Sequence, residues 1–334
     1  MKIAVTGAAG FLGSNLVNQL VEDGHDVTGV DRVRSEHAPK QVKWVLGDVL
    51  DRDAMVRALD GAELVYHLIA MITLAHLDEK AWTVNTVGVR TVAEAARTVG
   101  VRRMVHCSSV HSFDQYTLEG QLDENTPRST ASSIPVYDRS KWAGEQELRK
   151  VIDAGLDAVI CNPTGVYGPV DYGPSRINGM LRDAARGRVP AVIGGGFDLV
   201  DVRDVAHGLI AASERGRTGE NYLLNGEMIT ILDACRQAAT LGGRRSPRFA
   251  IPLRFITPIL PIAEPISKRF GSDMVSRAAM GSLLAAPMVN GTKARSELGY
   301  TPRPAGDTIR DVVEFFRASG KLDTRRQKPR ARSR

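Results

Sequence analysis

Apolar and polar positions in the first half of the chain alternate between short apolar runs and longer stretches with a helical period. Ile3, Ala4 and Val5 form a run too short for a helix and suited to a buried parallel strand. An amphipathic helix carrying Leu12, Leu16, Leu20 and Val21 follows, and then a second strand over residues 27–30. The pattern continues with a strand at 42–46, a helix at 51–59, a strand at 64–70, a helix spanning 85–97 and a strand at 103–107. A long helical pattern runs from Tyr137 to about residue 154. Strands that alternate with helices in this way predict a doubly wound α/β fold, its parallel sheet covered on both faces.

Between the first strand and the first helix stand glycines at 7, 10 and 13. A strand, a glycine turn and a helix N-terminus make an anion site, because free N–H groups and the helix dipole point at the same place. Gly7 permits the tight turn, Gly10 allows backbone to approach a pyrophosphate, and Gly13 lets the helix lie close to the sheet. Three glycines alone are also met in a purely structural turn. The second strand, however, ends in Asp31, 18 residues after Gly13, where a carboxylate holds a ribose 2′-OH. Dinucleotide binding follows from the combination. Asp48 is placed to meet the adenine end of such a ligand, whereas Asp51 suits a helix N-cap.

Composition narrows the class further. With 334 residues, 43% hydrophobic and 25% charged, the chain has the makeup of a soluble enzyme with a substantial core. Its net charge of +6 suggests nucleic-acid binding only until it is located. Residues 321–334 carry the whole excess, so the rest is formally neutral and specific nucleic-acid binding is not expected. That basic tail, 319–334, is expected to be disordered. Cys107, Cys161 and Cys235 are an odd, widely spaced set with no Cys-x-x-Cys, which points to reduced thiols, a cytoplasmic setting and no metal site. No stretch reads as a signal peptide or a transmembrane segment.

Three further residues carry candidate chemistry. In open α/β sheets, ligands lie beyond the carboxyl ends of the strands, which is where Ser109 falls after the strand at 103–107. Tyr137 and Lys141 are four apart and share a helix face. An ammonium beside a phenol lowers its pKa towards neutrality, so that the tyrosine can exchange a proton with a substrate oxygen. His67 reads as a packed strand histidine and not as a catalyst.

At this point the chain resembles the extended short-chain dehydrogenases/reductases, in the branch that holds NAD-dependent epimerases, dehydratases and dihydroflavonol reductases. The resemblance covers residues 1–315. It rests on Thr6-Gly-Ala-Ala-Gly-Phe-Leu-Gly13, His67-Leu-Ile-Ala70, Asn85, Ser108-Ser109, Tyr137 to Lys141, and Asn162-Pro-Thr-Gly-Val-Tyr-Gly-Pro169. Residues 198–206 and 293–300 look like the family's later landmarks.

The resemblance implies a Rossmann domain over 1–165, with core segments returning from 190–215, and a smaller substrate-binding lobe over 166–318. It implies catalysis by Ser109, Tyr137 and Lys141. The implied dinucleotide contacts are Gly7, Gly10, Phe11, Leu12, Gly13, Asp31, Arg32, Asp48, Val49, Leu68, Ile69, Ala70, Asn85, Tyr137, Lys141, Pro163 and Val166. Asp31 favours NAD by repelling a 2′-phosphate, whereas Arg32 and Arg34 could accommodate NADP. The carboxylate is given the greater weight. The resemblance further implies a homodimer through the Tyr–Lys helix and its neighbour, with Trp142, Leu148, Val151 and Ile152 supplying apolar surface.

Departures from the family shape the expected reaction. Where sugar-nucleotide dehydratases carry Asp-Glu after the active-site hydroxyl, this chain has Val110 and His111, so that elimination is not expected; His111 reads as a rim residue. Where sugar-nucleotide epimerases carry a pyrophosphate-clamping arginine, this chain has Phe197, with Arg176 and Arg203 as possible replacements. Residues 251–266, broken by prolines, suit either a wall for an apolar small-molecule substrate or ordinary packing. Met274, Met280, Leu283, Leu284 and Met288 continue that character. The expectation is an oxidoreductase that interconverts a secondary alcohol and a ketone on a fairly apolar molecule. The alternatives are a sugar epimerase and a dinucleotide sensor without catalysis.

Overall fold

The computed structural model describes residues 1–256 and 287–322. Seven parallel strands form the central sheet. β1 (Lys2–Thr6) lies inside it, with β2 (Asp26–Asp31) and β3 (Lys43–Leu46) to one side. β4 (Leu64–His67), β5 (Arg103–Cys107), and the strands Ala158–Pro163 and Asn221–Leu224 lie to the other. The chain reverses direction across the sheet between β1 and β4, and at such a switch point the strand ends open a crevice. This is the Rossmann-type doubly wound architecture expected from the sequence.

One face of the sheet is packed by α1 (Phe11–Glu22) and by the helix Val202–Arg215, through Leu16, Leu20, Val205 and Leu209. The opposite face is packed by α2 (Arg52–Leu59), α3 (Glu79–Thr98) and α4 (Val136–Asp153), through Met55, Val89, Val92 and Leu148. Both cores bury strand residues in alternation, so β5 sends Val105 and Cys107 to the first and Met104 to the second. A third core joins the helices Arg176–Ala185, Ile231–Leu241 and Ala305–Ala318 around Leu181, Cys235 and Phe316.

Boundaries differ from expectation by more than a residue at two elements. The strand expected over 64–70 ends at His67, because its neighbour β1 ends at Thr6 and offers no ladder beyond the bond from Leu68 N to Thr6 O. The helix around Asn85 starts earlier, at Glu79, where the Asp78 side chain caps it by accepting from Ala81 N. The proline-rich segment from residue 257 onward, Met274, Met280, Leu283, Leu284, and the basic tail from residue 323 lie outside the described residues. All three cysteines are buried and free.

Candidate active site

The crevice begins at the glycine turn. Gly7 adopts φ +81°, a left-handed conformation open to glycine, while its N–H donates to Val30 O. At Gly13 a Cβ would lie 2.0 Å from Gly7 O and 2.8 Å from Ala8 Cα, so any side chain there would force α1 off the turn. The first intrahelical bond of α1 runs from Ser14 N to Gly10 O, and Gly10 provides no side-chain cap. The N–H groups of Phe11, Leu12 and Gly13 therefore have no partner within the helix, which leaves them for an anion.

Asp31 closes the other side of the turn. Its Oδ2 accepts from Ala9 N at 3.1 Å and its Oδ1 from Arg32 N at 2.7 Å, so the carboxylate is fixed at the lip of the crevice. Asp48 accepts from Leu50 N and is exposed, while Val49 is buried against α3, where it faces Gly88. Asp51 caps α2 by accepting from Ala54 N, as read from the sequence. Ile69 packs over Gly7, and Leu68 and Ala70 flank it partly exposed. Pro163 ends the strand Ala158–Pro163, and Val166 lies in the short strand Gly165–Tyr167 that follows it. A tight turn, unpartnered first-turn N–H groups and a fixed carboxylate fit a dinucleotide.

Ser109, Tyr137 and Lys141 converge at the carboxyl end of β5. Ser109 caps a single 3₁₀ turn, Val110–Ser112, with its Oγ accepting from His111 N, and its side chain lies near enough to the Tyr137 phenol to favour the ionised form. Lys141, 2% exposed, donates from Nζ to Cys107 O at 3.1 Å. Asn85 is bonded within the fold. Its Oδ1 accepts from Met71 N while its Nδ2 donates to Met71 O and Ser140 Oγ, so it ties the loop after β4 to α4.

The expected lowering of the tyrosine pKa is not found. Burial raises the Tyr137 phenol well above its ordinary value, and the Ser109 side chain opposes this only in part. Burial likewise lowers the Lys141 ammonium. The two residues share a face as predicted, but neither is among the groups that shift the other, and desolvation of the charged forms dominates at both.

Further groups complete the neighbourhood, among them His111, which the sequence read as a rim residue. His111 presents its ring edge to Tyr137, 5.5 Å between centroids, and its Nδ1 lies 3.2 Å from the Asp138 carboxylate. Burial pulls the imidazole down, yet Asp138 outweighs it and leaves the pKa raised. Behind Ser109, fully buried Glu145 accepts from Ser108 Oγ, Asn162 Nδ2 and Asn221 Nδ2, with Arg128 at 3.4 Å. Glu145 could have been found from its position four residues beyond Lys141, on the same helix face. Arg128 and Asn221 carry no such signal. Arg203 is engaged by Asp201 and Asp311, so it is not available as a replacement pyrophosphate clamp.

A parallel sheet with a glycine turn and a fixed carboxylate at its switch point defines a Rossmann-type, dinucleotide-binding protein. More specifically, the chain belongs to the NAD-dependent epimerase/dehydratase family, whose model matches residues 3–225. It is similar to sterol demethylase protein B of Methylococcus capsulatus, 33% identical over 329 residues, covering 96% of this chain and 100% of that protein. A Synechocystis protein provisionally named dihydroflavonol 4-reductase is 30% identical, with 96% of each chain covered. The crystal structure of gox2253 superposes with a TM-score of 0.83 at 32% identity, covering 96% of this chain and 99% of that one. The chain is thus an NAD(P)-dependent oxidoreductase acting on hydroxyl or keto groups.

Proposed function

We propose that this protein interconverts a secondary alcohol and a ketone on an apolar small molecule, using Ser109, Tyr137 and Lys141. The observation that carries the reading is the convergence of these three groups at the end of β5, beside the dinucleotide crevice. Bound NADH would supply the hydride to the carbonyl carbon. With its pKa raised by burial, Tyr137 is a neutral phenol, the form that donates a proton in carbonyl reduction. Ser109 and Tyr137 would donate to the substrate oxygen, and the Tyr137 proton would move onto that oxygen as the carbon is reduced. Lys141 would then stabilise the phenolate until solvent reprotonates it.

An apolar substrate is supported by the similarity to a protein named sterol demethylase protein B, by Phe197 in place of an arginine, and by the engagement of Arg203. The test is NADH consumption at 340 nm with a 3-ketosteroid and a dihydroflavonol as probes. Turnover is expected in the wild type, with Tyr137→Phe slowing it at least about 100-fold at unchanged NADH affinity. Interconversion of UDP-sugars with no net NADH change would establish the epimerase reading instead. Turnover by Tyr137→Phe at the wild-type rate would sink the assignment of the tyrosine.

We also propose a cytoplasmic homodimer paired through α3 and α4. The three free, buried cysteines fit a reducing compartment, and no described helix is long and apolar enough to cross a membrane. Leu148 and Val151 are buried in the chain's own core, so Trp142 and Ile152, both partly exposed, are what remain of the expected apolar surface. A monomer mass from light scattering at micromolar concentration would exclude the dimer.

A further inference from the structure

Two loops leave the dinucleotide crevice on either side of the glycine turn and meet beyond it. The first follows β2. Asp31 is fastened to the turn through Ala9 N, and the chain then runs through exposed Arg32, Val33 and Arg34 to His37. The second follows the strand Gly165–Tyr167. Pro169 O accepts from Asn15 Nδ2 of α1, at 3.4 Å, and Tyr172 lies three residues further on. The His37 and Tyr172 rings stack, with centroids 3.6 Å apart and planes 18° from parallel. Phe315 meets the Tyr172 ring edge-on, and Lys321 Nζ donates to Tyr172 O. The start of α1 is thus one arc of a closed ring of contacts that runs from Ala9 through Asp31, His37, Tyr172 and Pro169 back to Asn15.

The second loop is also strained. Val170, at φ 59°, is the one non-glycine residue in the left-handed region among the described residues. A β-branched side chain adopts that conformation at a cost. Buried Asn178 holds it there: its Oδ1 accepts from Gly168 N, and its Nδ2 donates to Gly168 O and Asp171 Oδ2. Backbone kept strained by surrounding bonds is a feature of ligand clamps. Here the strain sits two residues before the ring that reaches across to His37.

We propose that the stacked His37–Tyr172 pair is a clasp over the phosphate turn, and that it sets how slowly a bound nicotinamide dinucleotide leaves. Neither residue belongs to the glycine motif or to the Ser–Tyr–Lys group. Their role is to retain the cofactor, and the proposal rests on the NAD site described above and not on the identity of the substrate.

The experiment is stopped-flow release of NADH, with protein preloaded with NADH and chased with excess NAD while the NADH fluorescence is followed. Opening an aromatic stack of this kind is worth a factor of about three to ten. His37→Ala and Tyr172→Ala are each expected to speed release by about that factor. The double variant should release NADH no faster than the singles, because either change alone opens the clasp. His37→Phe keeps a stacking ring and should stay within about twofold of the wild type. Release from both alanine variants at the wild-type rate would overturn the clasp while leaving the NAD site intact, as would a double variant in which the two effects multiply. A wild-type protein that binds no NADH would overturn the site and the clasp together.

Discussion

Two buried imidazoles lie beneath the candidate site, and they make the stability of the fold depend on pH in a way that can be calculated. His67 and His106 are register partners on β4 and β5, both essentially unexposed, with rings stacked 5.3 Å apart. His67 Nδ1 lies 2.6 Å from Thr6 Oγ1, but His67 Nε2 and both nitrogens of His106 have no hydrogen-bond partner among the described residues. Burial, reinforced by the Lys141 ammonium, lowers His67 to about 3 and His106 well below its ordinary value. In the unfolded chain both would titrate near 6.5. Between these limits the unfolded state binds more protons than the native one. Stability is therefore fully present above pH 6.5 and is lost as the pH falls towards the folded-state values.

The magnitude follows from linkage. Each histidine kept neutral in the fold costs about 2 kcal/mol at pH 5.0 and almost nothing at pH 7.5. His106→Leu removes one such group along with two unpartnered nitrogens. At pH 7.5 the relief of those nitrogens, about 1–3 kcal/mol, is set against a repacking cost of up to about 1.5 kcal/mol. The variant should therefore be as stable as the wild type or somewhat more so. At pH 5.0 its advantage should grow by about a further 2 kcal/mol. Urea unfolding at the two pH values measures this directly, and carboxylate titration cancels because both proteins share it. A difference between variant and wild type that is the same at pH 5.0 and 7.5 would refute the reasoning, because it would mean that His106 is charged, or partnered, in the folded protein.

Other perturbations test the scaffold of the site. Gly13→Ala places a Cβ against Gly7 O and Ala8 Cα. Since neither backbone atom can yield without moving α1, NADH affinity by fluorescence titration should fall at least about tenfold; wild-type affinity would show that the turn can relax. Asn85→Ala removes the bonds to Met71 and Ser140. It should cost about 2–3 kcal/mol of unfolding free energy, and a loss below about 1 kcal/mol would mean that water replaces the amide.

The sequence exposed what depends on neighbours along the chain. Strands β1, β2 and β5 and helices α1 and α4 follow from apolar periodicity, and the glycine turn, the Asp51 cap and the Tyr137–Lys141 face follow from spacing within a few residues. What it hid depends on tertiary distance. The Glu145 cluster gathers Arg128, Asn162 and Asn221 from separate elements, and the clasp joins His37 to Tyr172 across the crevice. The protonation of Tyr137 belongs to the same kind. A four-residue spacing brings an ammonium near a phenol, but whether the phenol ionises depends on how much water both lose on folding. Here Lys141 spends a donor on Cys107 O and Tyr137 is buried, so desolvation prevails. The neutral histidines below have the same origin. An ammonium already buried at Lys141 makes a second cation at His67 or His106 costlier still, and the floor of the site is thereby kept uncharged while its proton donor stays loaded.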